Sequence, residues 1–153
     1  MRRTAQLLGI AKRTMVKKVQ WLAEEARKAH AKFLATTAER TSFVQADEME
    51  TYENSKLKPL STALAVRHKT GQIIGAKVAS MNCHGRMAAI SRAFYGARPD
   101  TRAQAFRDVL RNVSLVAQTE LTIATDGKDA YCSIIKEVLP NGRPRRSCSA
   151  ETQ

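Results

Sequence analysis

Apolar side chains recur at Met15, Val19, Leu22, Ala26, Ala29 and Phe33, in alternating steps of four and three that trace one stripe along a helix. Gly9 interrupts the segment upstream of this stripe, so residues 2–34 predict helices broken once by a turn. After a polar connector over 36–42 the pattern changes. Residues 43–49, 60–66 and 72–79 read as three strands in quick succession, the last two separated by a turn at Lys69-Thr70-Gly71. Such a series suggests an antiparallel meander. Two helical stretches follow, around 84–94 and 102–113, divided by Gly96-Ala97-Arg98-Pro99-Asp100, where Asp100 or Thr101 is placed to cap the second helix. Residues 121–125 then read as a fourth, buried strand, and 128–138 as a helix that Pro140-Asn141-Gly142 ends. The remainder, 141–153, mixes Arg, Ser, Gly and Pro in no periodic order and is expected to be disordered. The chain thus falls in the α/β class, with a helical segment over 1–40, a mixed sheet with flanking helices over 41–140, and a tail.

A chain of 153 residues has room for one ordinary domain and a small appendage. Its apolar runs fall far short of the roughly 20 residues that span a bilayer. Arg2 and Arg3 precede an apolar run over 7–11 that is too short for a secretory leader. The expectation is a cytoplasmic protein with no membrane partner. The net charge of +12 instead points to a polyanion. Residues 1–40 hold ten Lys or Arg against three Glu, so the positive field is concentrated on the first helices. There Ala5, Gly9 and Met15 stand at the offsets of a helix-turn-helix: a small residue where the helices touch, glycine for the turn, and an apolar residue to seat the second helix. Arg13, Thr14, Lys17 and Lys18 lie opposite the apolar stripe, and with Lys12 they are the expected contacts to double-stranded DNA.

Other chemistries lack their residues. Cys83, Cys132 and Cys148 form no CxxC pair, and His30, His68 and His84 stand at no zinc-ligand spacing, which leaves reduced, structural thiols. No GxxxxGK[ST] loop supports nucleotide hydrolysis. Aromatic content of 5% and the lack of an RNP-like motif disfavour a general RNA-binding protein.

The acids carry the catalytic expectation. Asp47, in Phe43-Val44-Gln45-Ala46-Asp47-Glu48-Met49-Glu50, and Asp126, in Leu121-Thr122-Ile123-Ala124-Thr125-Asp126-Gly127, each sit where a short strand is expected to stop. Carboxylate oxygens are the ligands Mg²⁺ takes, and phosphodiester cleavage at such sites uses ions that activate the attacking oxygen and stabilise the leaving one. Asp47 is expected to bridge and Asp126 to be the second ligand. Adjacent strand residues face opposite ways, so Glu48 points away from Asp47, and Glu48 and Glu50 are second choices. Simpler readings stand beside these: an acidic turn balancing Lys56 and Lys58, and a Thr-Asp-Gly turn with a helix cap.

Three strands, helix, strand, helix resembles the RNase H-like fold, a mixed sheet that begins with a meander and adds parallel strands through helical crossovers. Its metal-binding carboxylates lie on the first strand and at the end of the fourth, where Asp47 and Asp126 stand. Gln45-Ala46-Asp47-Glu48-Met49 with Tyr52, then Lys69-Thr70-Gly71-Gln72-Ile73-Ile74-Gly75, then Thr125-Asp126-Gly127 with Tyr131, resembles the DDE transposases of bacterial insertion sequences. The resemblance runs to about Pro140. It implies Mg²⁺ or Mn²⁺, recognition of terminal inverted repeats by the N-terminal module, cutting and joining to target DNA through a 3′-hydroxyl, and paired complexes, hence a homodimer. An RNase H-like nuclease or resolvase, or a non-enzymatic helix-turn-helix regulator, are the alternatives. The family's third ligand is a glutamate on a helix after a fifth strand, and no such strand or helix is expected here. Glu137 lies on the helix directly after Asp126, and Glu151 in the tail. The expectation is therefore a truncated or frameshifted member whose RNase H-like domain lacks its C-terminal part, a fragment that binds DNA but is inactive alone.

Overall fold

A computed structural model describes residues 2–146. The chain divides after Thr37 into two compact units. In the first, α1 (Arg2–Leu7) and α2 (Lys12–Thr36) are joined by a turn in which Gly9 has φ +61°, a left-handed conformation that glycine adopts without steric cost. Ile10 N–H donates to the Ala5 carbonyl at 3.0 Å, and the Ala5 side chain is buried. The interruption at Gly9 is as expected, but the stripe on α2 is not continuously covered. Met15, Val19 and Phe33 are half-buried, whereas Leu22, Ala26 and Ala29 are exposed. Among the described residues of this unit the partner helix is α1, which at six residues is about 9 Å long against about 37 Å for α2.

Among its described residues the second unit is a five-stranded mixed sheet with three helices. Its strands are β1 (Thr41–Tyr52), β2 (Pro59–Arg67), β3 (Ile73–Ser80), β4 (Ala117–Thr125) and β5 (Gly142–Arg146). Helices α3 (Met87–Tyr95) and α4 (Arg102–Val116) lie between β3 and β4, and α5 (Asp129–Val138) between β4 and β5. Across the sheet the order is β3-β2-β1-β4-β5. The first three strands form the expected antiparallel meander, and β4 and β5 add in parallel, the former reached through α3 and α4 and the latter through α5.

One sheet face is covered. Val44, Ala46, Ala63, Ala65, Ile74 and Ile123 are all buried, and α4 closes over this sheet with Phe106, Val109, Leu110 and Val113. These α4 residues recur at three- and four-residue steps, so they form one apolar stripe. Small residues on the strands let the helix approach. At Gly75 the approach is tight: a Cβ there would lie 3.1 Å from Val109 Cγ1 and 3.2 Å from the Val109 carbonyl oxygen. At the start of α4 the N-cap position is Thr101, without a side-chain cap bond, and it is Asp100, one residue earlier, whose Oδ1 accepts the Arg102 N–H at 3.1 Å. Thr101 is used elsewhere, its Oγ1 accepting the Ser80 N–H at 3.0 Å and its own N–H donating to the Ser80 carbonyl.

Two expectations are overturned. Residues 141–153 are not wholly irregular, because Gly142–Arg146 forms β5, paired in parallel with β4 from Leu121↔Gly142 to Thr125↔Arg146. Its Arg-Pro-Arg composition hides the strand, yet at a sheet edge proline is tolerated, since the N–H it lacks can face outward. Residues 147–153 lie outside the described residues, as does Cys148. The second correction concerns Asp47, which does not end its strand. β1 continues to Tyr52 against β2, with Asp47 opposite Leu64, and it is only the pairing with β4 that stops, at Gln45, two residues before Asp47.

Candidate functional site

The register between β1 and β4 builds the site. These parallel strands pair Phe43 with Thr122, Val44 with Ile123 and Gln45 with Ala124. The interval from Val44 to Ile123 equals that from Asp47 to Asp126, so extending the register brings the two aspartates level. Alternation then sorts the side chains: Val44, Ala46, Glu48 and Ile123 point toward the helices, while Gln45, Asp47 and Ala124 point to the opposite face. On that face Asp47, Asp126, Gln45, Ala124, Leu64 and Val66 line one cavity of about 330 Å³.

Both aspartates are held by nearby N–H groups. Asp47 Oδ1 accepts the Glu48 N–H at 2.7 Å. Asp126 Oδ1 accepts the Lys128 N–H at 3.3 Å across a turn in which Gly127 has φ +85°. The turn reading of Thr-Asp-Gly is thus correct, and it coexists with the placement of Asp126 in the cavity.

A cation already sits beside the acids. Lys128 Nζ is 3.4 Å from Asp126 Oδ2 and 3.7 Å from Glu48 Oε2, and it donates to the Tyr131 hydroxyl at 3.1 Å. Glu48, facing away from Asp47 as expected, has a side chain only 5% exposed, and burying a lone carboxylate is costly without such partners. Tyr131 stacks on Phe106 with ring centroids 4.4 Å apart. Its hydroxyl is pushed far above the usual phenol range, first by burial, then by its hydrogen bond to Glu48 and by the negative charge of Glu48, Asp126 and Asp47. Arg102 stands on the same side. Its guanidinium is held charged above all by its hydrogen bond to Asp100, with the fields of Glu48 and Glu50 adding to it.

Among the described residues no group of three or more His, Cys, Asp or Glu could hold a metal ion. Asp47 and Asp126 are two carboxylates that line the same cavity, hard oxygen donors of the kind Mg²⁺ and Mn²⁺ take, and two fall short of a two-ion cage. Glu48 is turned to the other face, and Glu50 is exposed beyond it. Glu137 is not near this cavity's lining; it bridges α5 to α4 through Arg107, whose Nε and Nη2 lie 3.0 and 2.9 Å from its oxygens. Glu151 lies outside the described residues.

The remaining expected contacts belong to the N-terminal unit. Lys12, Arg13, Thr14, Lys17 and Lys18 are all exposed on the first two turns of α2. Cys83 and Cys132 are free thiols. No described helix is long and apolar enough to cross a membrane. Sequence reasoning missed Lys128 as the partner of Asp126 and Glu48; its position two residues after an aspartate was visible, but not that the start of α5 turns its ammonium back over both acids. Compared with known proteins, the chain matches no family model and no curated sequence.

Proposed function

We propose that this chain is a DNA-cutting and strand-joining protein of the DDE transposase kind, with a helix-turn-helix that binds DNA ends and an RNase H-like sheet that acts on them. The observation that carries the reading is that Asp47 and Asp126 line one cavity, each two residues beyond the last β1–β4 pair, Gln45 and Ala124. The antiparallel meander followed by parallel strands through helical crossovers supports the RNase H-like assignment, and β5 adds the fifth strand that the family's pattern calls for. A Mg²⁺ or Mn²⁺ ion held by the two aspartates supplies Lewis-acid activation of phosphodiester oxygens when bound. The chain's own residues do the rest. The Glu48 N–H orients Asp47, Lys128 holds Asp126 and Glu48 in place, and Leu64 and Val66 give the cavity an apolar floor. Gly9 at left-handed φ and the exposed Lys12, Arg13, Thr14, Lys17 and Lys18 support a DNA-contacting second helix.

Incubation of the full chain with terminal-repeat DNA and Mn²⁺ tests the reading. The inactive fragment expected from the sequence presumed that no fifth strand was present; β5 supplies that strand, so cut and joined products are expected, reduced at least 100-fold by Asp47→Asn or Asp126→Asn, since lost geometry at such a centre costs orders of magnitude. Activity that survives both substitutions refutes it. Products released without joining favour an RNase H-like nuclease or resolvase, and DNA that is retarded on a gel but never cut favours a non-enzymatic regulator. A homodimer, implied by paired end complexes, is read from the mass of the complex on two ends.

A further inference from the structure

The strand that the sequence hides carries charge onto the face of the two aspartates. β5 pairs Thr122 with Arg143 and Ala124 with Arg145, while β1 pairs Phe43 with Thr122 and Gln45 with Ala124. Residues level in neighbouring parallel strands share a face, so Arg143 and Arg145 stand on the side of Gln45 and Asp47. Burial agrees with the register: Arg143 and Arg145 are exposed, whereas Pro144 between them is half-buried on the helix side, opposite Ile123.

We propose that Arg143 and Arg145 form a phosphate-binding track that lays a DNA backbone across the sheet face toward Asp47 and Asp126. The proposal rests on the reading of that face as a DNA-cutting site. Two carboxylates repel a polyanion, and a site that must take one needs positive charge alongside. Arg145 is one strand over from Asp126 and two residues back along it, which strand geometry makes about 8 Å between Cα atoms, and about 12 Å from Asp47. DNA carries a phosphate every ~3.4 Å of axis along each strand, so Arg145 would meet a phosphate two or three positions from the one at the aspartates. Arg143 lies a further two residues back and continues the line. Its ion pair does not remove it from use, because Nη2 is 4.0 Å from Glu120 and both side chains are largely exposed, at 77% and 83%. Guanidinium groups suit the task, since their planar fork grips phosphate oxygens in pairs.

Salt-dependent binding decides it. Fluorescence anisotropy with a labelled duplex of arbitrary sequence, without divalent metal, gives the slope of log affinity against log salt for the full chain and for Arg143→Gln/Arg145→Gln. Each lost phosphate contact removes about 0.9 from that slope, so the double variant is expected to lose about 1.8. Between 50 and 200 mM salt the unaltered chain then loses roughly tenfold more affinity than the variant. Arg143→Lys/Arg145→Lys is expected to restore the slope. An unchanged slope overturns the proposal, and so does an equal fall in Arg111→Gln/Lys136→Gln, two exposed cations on the helices, because net charge alone would then explain it. The two readings fail separately. A slope unchanged in Arg143→Gln/Arg145→Gln, with cutting lost in Asp47→Asn, removes the track and leaves the cutting site, whereas a reduced slope with cutting intact in Asp47→Asn keeps a DNA-binding face and removes the assigned chemistry.

Discussion

Gly75→Ala measures how closely α4 must approach the sheet for the site face to be held. The added Cβ would lie 3.1 Å from Val109 Cγ1, 3.2 Å from the Val109 carbonyl oxygen and 3.3 Å from Val109 Cα. Ordinary carbon contacts are about 3.5–4.0 Å, so α4 must retreat by a few tenths of an ångström. Two of the three atoms are backbone, and no side-chain rotation relieves them. The helix is pinned meanwhile by Phe106, Leu110 and Val113, each 0% exposed. Overpacking of this kind costs about 1–3 kcal/mol. Alanine regains about 0.4–1 kcal/mol by restricting the unfolded chain. The net loss is then about 1–2 kcal/mol, or roughly 2–8 °C in melting temperature for a chain of this size. Urea unfolding of Gly75→Ala, Val109→Ala and the double variant is the assay. Removing Cγ1 relieves one of the three contacts, so the double variant is expected to be more stable than additivity allows by about 0.5 kcal/mol or more. Gly71→Ala is the control: its φ of +67° disfavours alanine by about 1 kcal/mol, yet nothing lies within 4 Å of its Cβ. That loss is independent of Val109. A Gly75→Ala protein as stable as the parent, with no coupling to Val109, refutes the close-approach account.

Three further predictions concern the acids and the core. Lys128→Met removes the ammonium beside Asp126 and Glu48, and Mn²⁺ titration followed by electron paramagnetic resonance is expected to show roughly two- to fivefold tighter binding, from the 0.2–1 kcal/mol typical of a partly exposed ion pair; weaker binding would mean that Lys128 supports the ion. The Asp100 carboxyl is held below its usual range, chiefly by its hydrogen bond to the Arg102 side chain, so its stabilisation is present above the unfolded pKa near ~4 and lost as pH falls through the lower folded value. The stability gap between the parent and Asp100→Asn is therefore expected to be constant from pH 6 to 8 and to close only in acid; a gap that opens in acid contradicts the pair. Leu110→Ala, at a side chain 0% exposed, is expected to cost about 2–5 kcal/mol in urea unfolding, and a cost below 1 kcal/mol would show that α4 is not packed as described.

Much of the fold was legible along the chain because its signals are local. The break at Gly9, the meander, the helix read over 102–113 and the turn after Asp126 each follow from periods of two or 3.6 and from glycine or turn-forming residues at their ends. Boundaries were less legible. β1 runs to Tyr52 because β2 supplies backbone partners as far as Pro59, and β4 begins at Ala117 rather than near 121 because α4 passes directly into it. β5 was invisible, since Gly-Arg-Pro-Arg-Arg has neither alternation nor β-branched residues and exists as a strand through its pairing with β4.

By itself the sequence determined which residues can form strands and helices, that Asp47 and Glu48 must face opposite ways, and that the basic charge gathers near the N-terminus. The tertiary structure alone decided that β1 lies beside β4, that Asp47 and Asp126 line one cavity just beyond their last pair, that Lys128 returns over Asp126 and Glu48, and that Arg143 and Arg145 share the aspartates' face. Periodicity is a property of neighbours in the chain, whereas strand order and register are chosen by which faces can be buried together across long intervals of sequence.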